Sequence, residues 1–185
     1  PLRPGIQQCN PQVNTSVSTA RYSKEMGNPP ELTEERKTAV RASWDLVRKN
    51  MRQNGADFYL HFFKTFPVYK DLFKDFKDTP LEEVAKHPKL KAHGLRAFYA
   101  IASMVDSLDD LEIAAQIMRK TVDDHFPRGI RTLQFTHVFG VLLDFLSIKL
   151  ESNFDERTRE GWEATTAILM QVTEARMKEL EQTAE

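Results

Sequence analysis

The sequence contains very little cysteine: Cys9 is the single cysteine among 185 residues. One thiol cannot form a disulfide within the chain, so a fold stabilised by internal disulfides is excluded. No histidine or acidic residue lies close enough in the sequence to activate this thiol as a nucleophile. We therefore expect Cys9 to be inert, with an intermolecular bridge as the alternative.

An excess of charge of one sign is also missing. The chain has 26 Lys and Arg against 27 Asp and Glu, a formal net charge of −1. This balance gives no electrostatic reason to expect nucleic acid or an anionic membrane as a partner. Apolar runs of the roughly 18–20 residues that a membrane span needs are absent as well. We expect neither a nucleic-acid partner nor a membrane span.

Apolar residues are present at helical spacing along most of the chain. Val40, Trp44, Val47 and Met51 lie on one face of a helix that Thr33 can cap. Similar stripes follow in the later segments, and no alternating apolar run predicts a strand. The sequence therefore predicts an all-α fold.

The first thirty residues differ from the rest of the chain. They are rich in Pro, Asn, Gln, Ser and Thr and show little apolar periodicity. We predict a flexible extension over residues 1–30, one folded domain over residues 31–182 and a short tail over residues 183–185. Deletion of residues 1–30 should leave the function of the domain intact.

Two histidines fall within the apolar stripes of two helices. His93 lies in one stripe, and His125 lies in the next, 32 residues later. A buried neutral imidazole needs a partner for each ring nitrogen, and a metal ion can supply one of them. From the residues alone, both readings stay open: satisfied core histidines, or ligands that face each other.

Several further segments form a set with these histidines. They are Trp44 in the first helix, Phe63-Lys-Thr-Phe-Pro67, the corner aromatics Phe73 and Phe76, His87-Pro-Lys-Leu-Lys-Ala-His93-Gly94, and His125-Phe-Pro-Arg-Gly-Ile130. In this order and at this spacing they resemble the globin family over roughly residues 31–182.

The resemblance implies a helical sandwich around haem b, iron protoporphyrin IX, with helices crossing at ridges-into-grooves angles. It implies that His125 is the proximal iron ligand, that His93 is the distal histidine and that Phe73 stacks on the haem. The other residues that it places around the haem are Phe63, Phe76, Ile130, Phe135 and Val138.

Three positions depart from the familiar oxygen-storage pattern. Tyr59 takes a ligand-facing position that is often leucine, so its phenol can donate a hydrogen bond to the ligand; the alternative is a hydroxyl turned away. Ala97 stands where a larger aliphatic residue is usual and leaves room on the ligand side. Arg96 is expected either to pair with a haem propionate, to swing toward the ligand, or to remain a solvated surface residue.

The function that the resemblance implies is reversible binding of O2, or of another diatomic gas such as CO or NO. We expect a gas-binding protein rather than a dedicated enzyme. The alternative is a haem redox enzyme or sensor, such as an NO dioxygenase, nitrite reductase or peroxidase, with a reductase as partner. In that alternative His93 would bind the iron as well, helped by a loosely constrained acidic loop over residues 77–86 that lets its helix shift.

The remaining histidines and the location of the protein carry weaker expectations. We expect His61 and His137 in solvated or core-edge positions, because neither shares a metal-ligand spacing with another residue. A cytoplasmic location is expected, and secretion is the alternative because the chain begins with Pro1 rather than Met. The sequence leaves the oligomeric state and the ligand affinity open.

Overall fold

The computed structural model describes residues 29–184, and these residues fold into helices without a strand. The α-helices are α1 (Glu34–Arg48), α2 (Met51–Thr65), α3 (Leu81–Val84), α4 (Pro88–Asp106), α5 (Leu111–His125), α6 (Thr132–Leu150) and α7 (Glu156–Ala184). Short 3-10 helices cover Pro67–Leu72, Phe126–Arg128 and Glu151–Asn153. The predicted all-α fold is confirmed. Cys9 and nearly all of the predicted extension lie outside the described residues.

The helices begin and end at residues with a clear physical role. The hydroxyl of Thr33 accepts a hydrogen bond from the amide of Arg36 at 3.4 Å, which caps α1 as predicted. Pro67 follows the end of α2, because proline cannot supply the amide that the helix would need. Gly129 closes the turn after α5 with φ of 81°, a left-handed conformation that suits glycine.

Helices α2 and α4 cross with their backbones in contact. A Cβ atom added to Gly94 would lie 2.5 Å from the carbonyl oxygen of Gly55, and the reverse distance is also 2.5 Å. Only glycine fits on either side of this crossing. The close approach brings Tyr59 on α2 and His93 on α4 onto adjoining helix faces.

Helix α1 packs against α7 in a part of the core away from Tyr59 and His93. The buried rings of Trp44 and Trp162 lie 5.6 Å apart, and the indole N–H of Trp162 donates to the hydroxyl of Ser43 at 2.9 Å. A Cβ atom added to Gly161 would lie 2.9 Å from the carbonyl oxygen of Arg36. The last helix therefore packs closely against the first through the contact at Gly161 and the Trp44–Trp162 pair.

Helix α6 is the most apolar helix of the described residues. By length and composition alone the segment Thr132–Asn153 is apolar enough to cross a membrane. In this fold, however, α6 contributes eight buried residues and packs against both α2 and α7. Its hydrophobicity is accounted for by its central position in the core.

The segment between the 3-10 helix Pro67–Leu72 and α4 is more ordered than the sequence indicates. It contains α3, whose Val84 is completely buried. The Lys70 ammonium donates to the carbonyl of Thr79 at 2.8 Å and also to that of Lys77. The expectation of a loosely constrained loop over residues 77–86 does not hold, because this lysine and the buried valine fix it.

Candidate functional site

The imidazoles of His93 and His125 face each other between α4 and α5. Their ring centroids are 6.4 Å apart and their planes are inclined at 68°. The short turn between the two helices makes them neighbours, so the two apolar stripes of the sequence meet. The site is built around the space between these two rings.

The orientation of His125 is fixed by its own helix. Its Nδ1 lies 2.7 Å from the carbonyl oxygen of Thr121, one turn earlier on α5. A carbonyl only accepts, so Nδ1 must carry the hydrogen, and in the neutral imidazole that metal binding requires the lone pair is on Nε2. The ring of Phe135 packs at 5.8 Å, edge to face. This is the tautomer and the support by a carbonyl that a metal-binding histidine requires.

His93 interacts with Tyr59 on the opposite side of the site. The Tyr59 hydroxyl lies 2.9 Å from Nε2 of His93, and the two rings are 4.8 Å apart. The hydroxyl of Tyr59 is therefore directed into the site. Burial raises the pKa of Tyr59, so that the phenol keeps its proton. Burial, followed by repulsion from His125, lowers the pKa of His93 to about 4, so that its imidazole is neutral at neutral pH.

Aromatic side chains form one wall of the site. Phe73 contacts the rings of Phe63 at 5.2 Å, Phe76 at 5.2 Å and His93 at 5.1 Å. Phe63 and Phe76 are buried, while Phe73 is partly exposed. The structure thus brings Phe63, Phe73, Phe76 and His93 together, and their role around a haem stays a prediction.

Two arginines place positive charge at the rim of the site. Arg96 is exposed on α4. Its positive charge adds to the lowering of the His93 pKa. At Tyr59 the same charge offsets part of the rise in pKa that burial causes. Arg128, in the turn after α5, also helps to lower the pKa of His93. A cofactor or ligand that carries negative charge would be favoured at this edge.

The other predicted lining residues are peripheral in the described structure. Ala97, Ile130 and Val138 are partly buried and pack against the core. The amide of Ile130 donates a hydrogen bond to the His125 carbonyl at 3.4 Å, but no side-chain hydrogen bond or ring contact in the described residues joins Ala97, Ile130 or Val138 to the imidazoles of His93 and His125. Their role as lining residues stays a prediction.

Sequence reasoning missed the burial of a third histidine, His137. His137 is buried rather than solvated or at the edge of the core, and its Nδ1 lies 2.6 Å from the hydroxyl of Tyr69. His61 lies as predicted near the surface, 2.6 Å from a carboxylate oxygen of Asp144. No sequence signal linked His137 to Tyr69, because the two residues are 68 positions apart.

Comparison with known proteins agrees with this arrangement. The family model described as Globin matches residues 56–173. Hemoglobin-3 of Phacoides pectinatus is 34% identical to this chain, over 80% of this chain and 96% of that relative. This chain is a globin. The protein described as Globin in Nerita albicilla is 26% identical to it, over 80% of this chain and 95% of that relative.

A solved structure supports the fold of this globin independently. Haemoglobin from the botfly Gasterophilus intestinalis superposes with a TM-score of 0.73, covering 79% of this chain and 99% of that chain. The sequence identity is 15%, so the likeness concerns the fold alone. The fold predicted from the resemblance is therefore confirmed by both sequence and structure comparison.

Globins bind haem, and the described residues fit that cofactor. His125 has a free Nε2 lone pair on the side of the ring away from Thr121. Two imidazoles that bind one metal ion from opposite sides, with metal–nitrogen bonds of about 2.0–2.1 Å as for zinc, have ring centroids roughly 6–6.5 Å apart. The observed separation of 6.4 Å matches that range. The aromatic wall and the two arginines suit a flat, apolar ring with acidic substituents.

Proposed function

We propose that this globin holds haem b and reversibly binds O2, or a related gas such as CO or NO, at the haem iron. His125 would be the proximal ligand and His93 the distal residue. The observation that carries this proposal is the hydrogen bond of 2.7 Å between His125 Nδ1 and the Thr121 carbonyl. It leaves Nε2 as the one ring nitrogen able to bind a metal, in the position where the two apolar stripes meet.

The haem, when bound, supplies the iron at which the gas binds. The residues of this chain control the surroundings of that ligand. Tyr59 and His93 are both neutral at neutral pH and share a hydrogen bond, so the pair has one further hydrogen to donate to a polar ligand. The ring of Phe73 excludes water from the same side. Ala97, on α4, leaves space near His93.

A second function is favoured by a specific observation. The separation of 6.4 Å between the rings of His93 and His125 is the distance expected if both bind one iron. An external ligand would then have to displace His93, and its apparent affinity would fall by the fraction of time for which the site is closed. Redox or sensing chemistry supported by a reductase fits such a site better than bulk oxygen storage.

One contact opposes coordination by His93. Its Nε2 is occupied by the hydroxyl of Tyr59, and that hydrogen bond must break before the nitrogen can reach a metal. We therefore place reversible gas binding with an open site first.

The absorption spectrum of the reduced holoprotein, recorded before and after addition of CO, distinguishes these functions. A single broad visible band would mean five-coordinate iron and support gas binding. Two sharp visible bands that CO replaces would mean that His93 occupies the iron, and the redox or sensing function would then take first place. Complete absence of a haem band after reconstitution would refute both. The lifetime of the oxygenated form separates storage, where it is slow to decay, from redox turnover.

A further inference from the structure

Four charged residues form a set of alternating ion pairs between α5 and α7. The guanidinium of Arg176 donates from Nε to Asp123 at 2.7 Å and from Nη1 to Glu179 at 2.7 Å. The guanidinium of Arg119 donates to both carboxylate oxygens of Glu179, at 3.1 and 3.2 Å. Arg176 thus bridges one carboxylate on each of the two helices.

The order of these charges fixes how the two helices are aligned. Arg119 and Asp123 lie about one turn apart on α5, and Arg176 and Glu179 lie about one turn apart on α7. Each helix supplies one cation and one anion, and the antiparallel pairing matches opposite charges at both positions. A slide of α5 by one turn would bring Asp123 toward Glu179, and the two carboxylates would repel each other.

Apolar packing secures the end of α5 at few points. The buried residues of this helix are Ala114, Met118 and Val122. Only the last of these is in the turn that ends at His125. The imidazole of His125 packs against His93 on α4 and Phe135 on α6. The pair of Asp123 with Arg176 is therefore the polar link that the described residues provide between this last turn and α7.

The end of α5 also carries the group that orients His125. The carbonyl of Thr121 accepts the hydrogen bond from Nδ1 at 2.7 Å. Asp123 lies between Thr121 and His125 in the chain, so a shift of its backbone moves the carbonyl and the imidazole together. The place of Nε2 therefore follows the place of this turn on α7.

We propose that Arg176 is a positioning residue, which sets the place of the His125 imidazole by holding the last turn of α5 against α7. The inference rests on the proposed function, because it requires His125 to be the proximal ligand of the haem iron. Without the pairs of Arg176 this turn moves more freely, and the orientation of Nε2 is less well defined. Haem is then held less firmly, as when other supports of a metal-binding histidine are removed.

Ionic strength rather than pH should modulate this contact. The hydrogen bonds to Asp123 and then to Glu179 raise the pKa of Arg176. The hydrogen bonds from Arg176 and then from Arg119 lower the pKa of Glu179. Arg176 and Glu179 consequently stay ionised at neutral pH, and added salt is what screens their charges.

The ion pair of Arg36 with Glu160 offers a matched control at the contact of α1 with α7. Its shortest distance is 2.7 Å, the same as for Arg176 with Asp123. The exposed fractions of the side chains are 21% and 37%, against 28% and 37% for Arg176 and Asp123. Arg36→Gln therefore removes an ion pair of similar exposure from α7, but not the one beside His125.

The test compares reconstituted holoproteins by two measurements. These are the rate of haem loss to an excess of a haem-acceptor protein, and the iron–histidine stretching band in the resonance Raman spectrum. The band is recorded immediately after photolysis of the CO complex, when the iron has no ligand on the His93 side. Arg176→Gln should lose haem about two- to fivefold faster, the factor expected for a partly exposed ion pair, and its band should shift or broaden. Asp123→Asn should act similarly, and the double variant should add little to either change.

The control variants separate positioning from a general loss of stability. Arg36→Gln should lower the urea midpoint about as much as Arg176→Gln but leave the iron–histidine band unchanged. Arg176→Lys keeps the charge without the planar fork that reaches two carboxylates, so its band should lie between those of wild type and Arg176→Gln.

A wild-type band and a wild-type rate of haem loss in Arg176→Gln would overturn the positioning role, and so would an equal change of the band in Arg36→Gln. Failure of the proposed function gives a different result. A His125→Gly protein with an unaltered haem spectrum would refute His125 as the proximal ligand, whatever the Arg176 variants show.

Discussion

At the scale of single residues, the properties of the site depend on which atom holds each imidazole. Thr121 lies one turn before His125, and its carbonyl fixes the hydrogen on Nδ1. The Tyr59 hydroxyl, from another helix, is hydrogen-bonded to Nε2 of His93, and a hydroxyl can either donate or accept. The two histidines are thus prepared for different roles: the first presents a free lone pair, and the second shares a hydrogen with a phenol.

Replacement of His125 by glycine should abolish stable haem retention, because it removes the one nitrogen that the Thr121 carbonyl prepares for a metal. The measurement is the Soret absorbance that remains after gel filtration of the reconstituted protein. Externally added imidazole should restore the band, since it can occupy the space that the side chain leaves. His61→Gly is the control: it removes an imidazole outside the site, and its cost to the helix, about 1 kcal/mol at an interior position, is at least that at His125, the last residue of α5. A His125→Gly protein that retains haem and an unaltered spectrum would contradict the assignment.

The sequence pattern predicted a buried histidine only in helices whose apolar residues are confined to one face. His93 and His125 stand out because each lies among apolar residues at helical spacing, with polar residues on the opposite face. Helix α6 is apolar on nearly every face, so spacing could not show that His137 is buried. Its partner Tyr69 comes from a segment distant in the sequence, and only the packing of α6 against the 3-10 helix brings them together.

At the scale of elements, the ends of most helices followed from proline, glycine and capping residues. Thr33 and Pro67 mark boundaries that the structure confirms. Helix α3 was missed, because four residues are too few to show a period. It is held by tertiary contacts, namely the buried Val84 and the hydrogen bonds that Lys70 donates to nearby carbonyls. Such contacts leave no trace in the local sequence.

The glycine crossing of α2 and α4 gives a prediction at this scale. Gly94→Ala would place a Cβ atom 2.5 Å from the carbonyl oxygen of Gly55, and backbone cannot rotate away as a side chain can. The helices must separate, at a cost of about 1–3 kcal/mol in the free energy of unfolding. Because His93 is the preceding residue, its hydrogen bond to Tyr59 should lengthen as well.

Urea unfolding and the ligand-binding spectrum of the same Gly94→Ala protein test both effects. Gly55→Ala would place a Cβ atom at the same crossing from α2, 2.5 Å from the carbonyl oxygen of Gly94, and should lower the free energy of unfolding by a similar amount. Ser103→Ala, an exposed change on the same helix, should leave stability close to that of the wild type. If Gly94→Ala unfolded at the same urea concentration as Ser103→Ala, the two helices would not be held at the distance described.

At the scale of the whole molecule, contacts between the first and last helices close the fold. The Trp44–Trp162 pair and the close approach of Gly161 join α1 to α7. At the surface of the same contact Arg36 forms an ion pair with Glu160 at 2.7 Å. The all-α architecture followed from periodicity, but this closure did not, since periodicity shows which face is buried and not which helix covers it.

These closing contacts begin at Glu31, whose carbonyl accepts a hydrogen bond of 2.6 Å from the guanidinium of Arg36. Deletion of residues 1–30 keeps this bond, the Thr33 cap and every helix between residues 34 and 184, so haem retention and the urea midpoint should match those of the full chain. Deletion of residues 1–35 serves as the comparison: it removes the cap and Glu31 and should lower stability by about 1 kcal/mol or more. Loss of haem from the 1–30 deletion would mean that residues before Glu31 contribute to the site, and the boundary of the functional domain would then have to move toward the N-terminus.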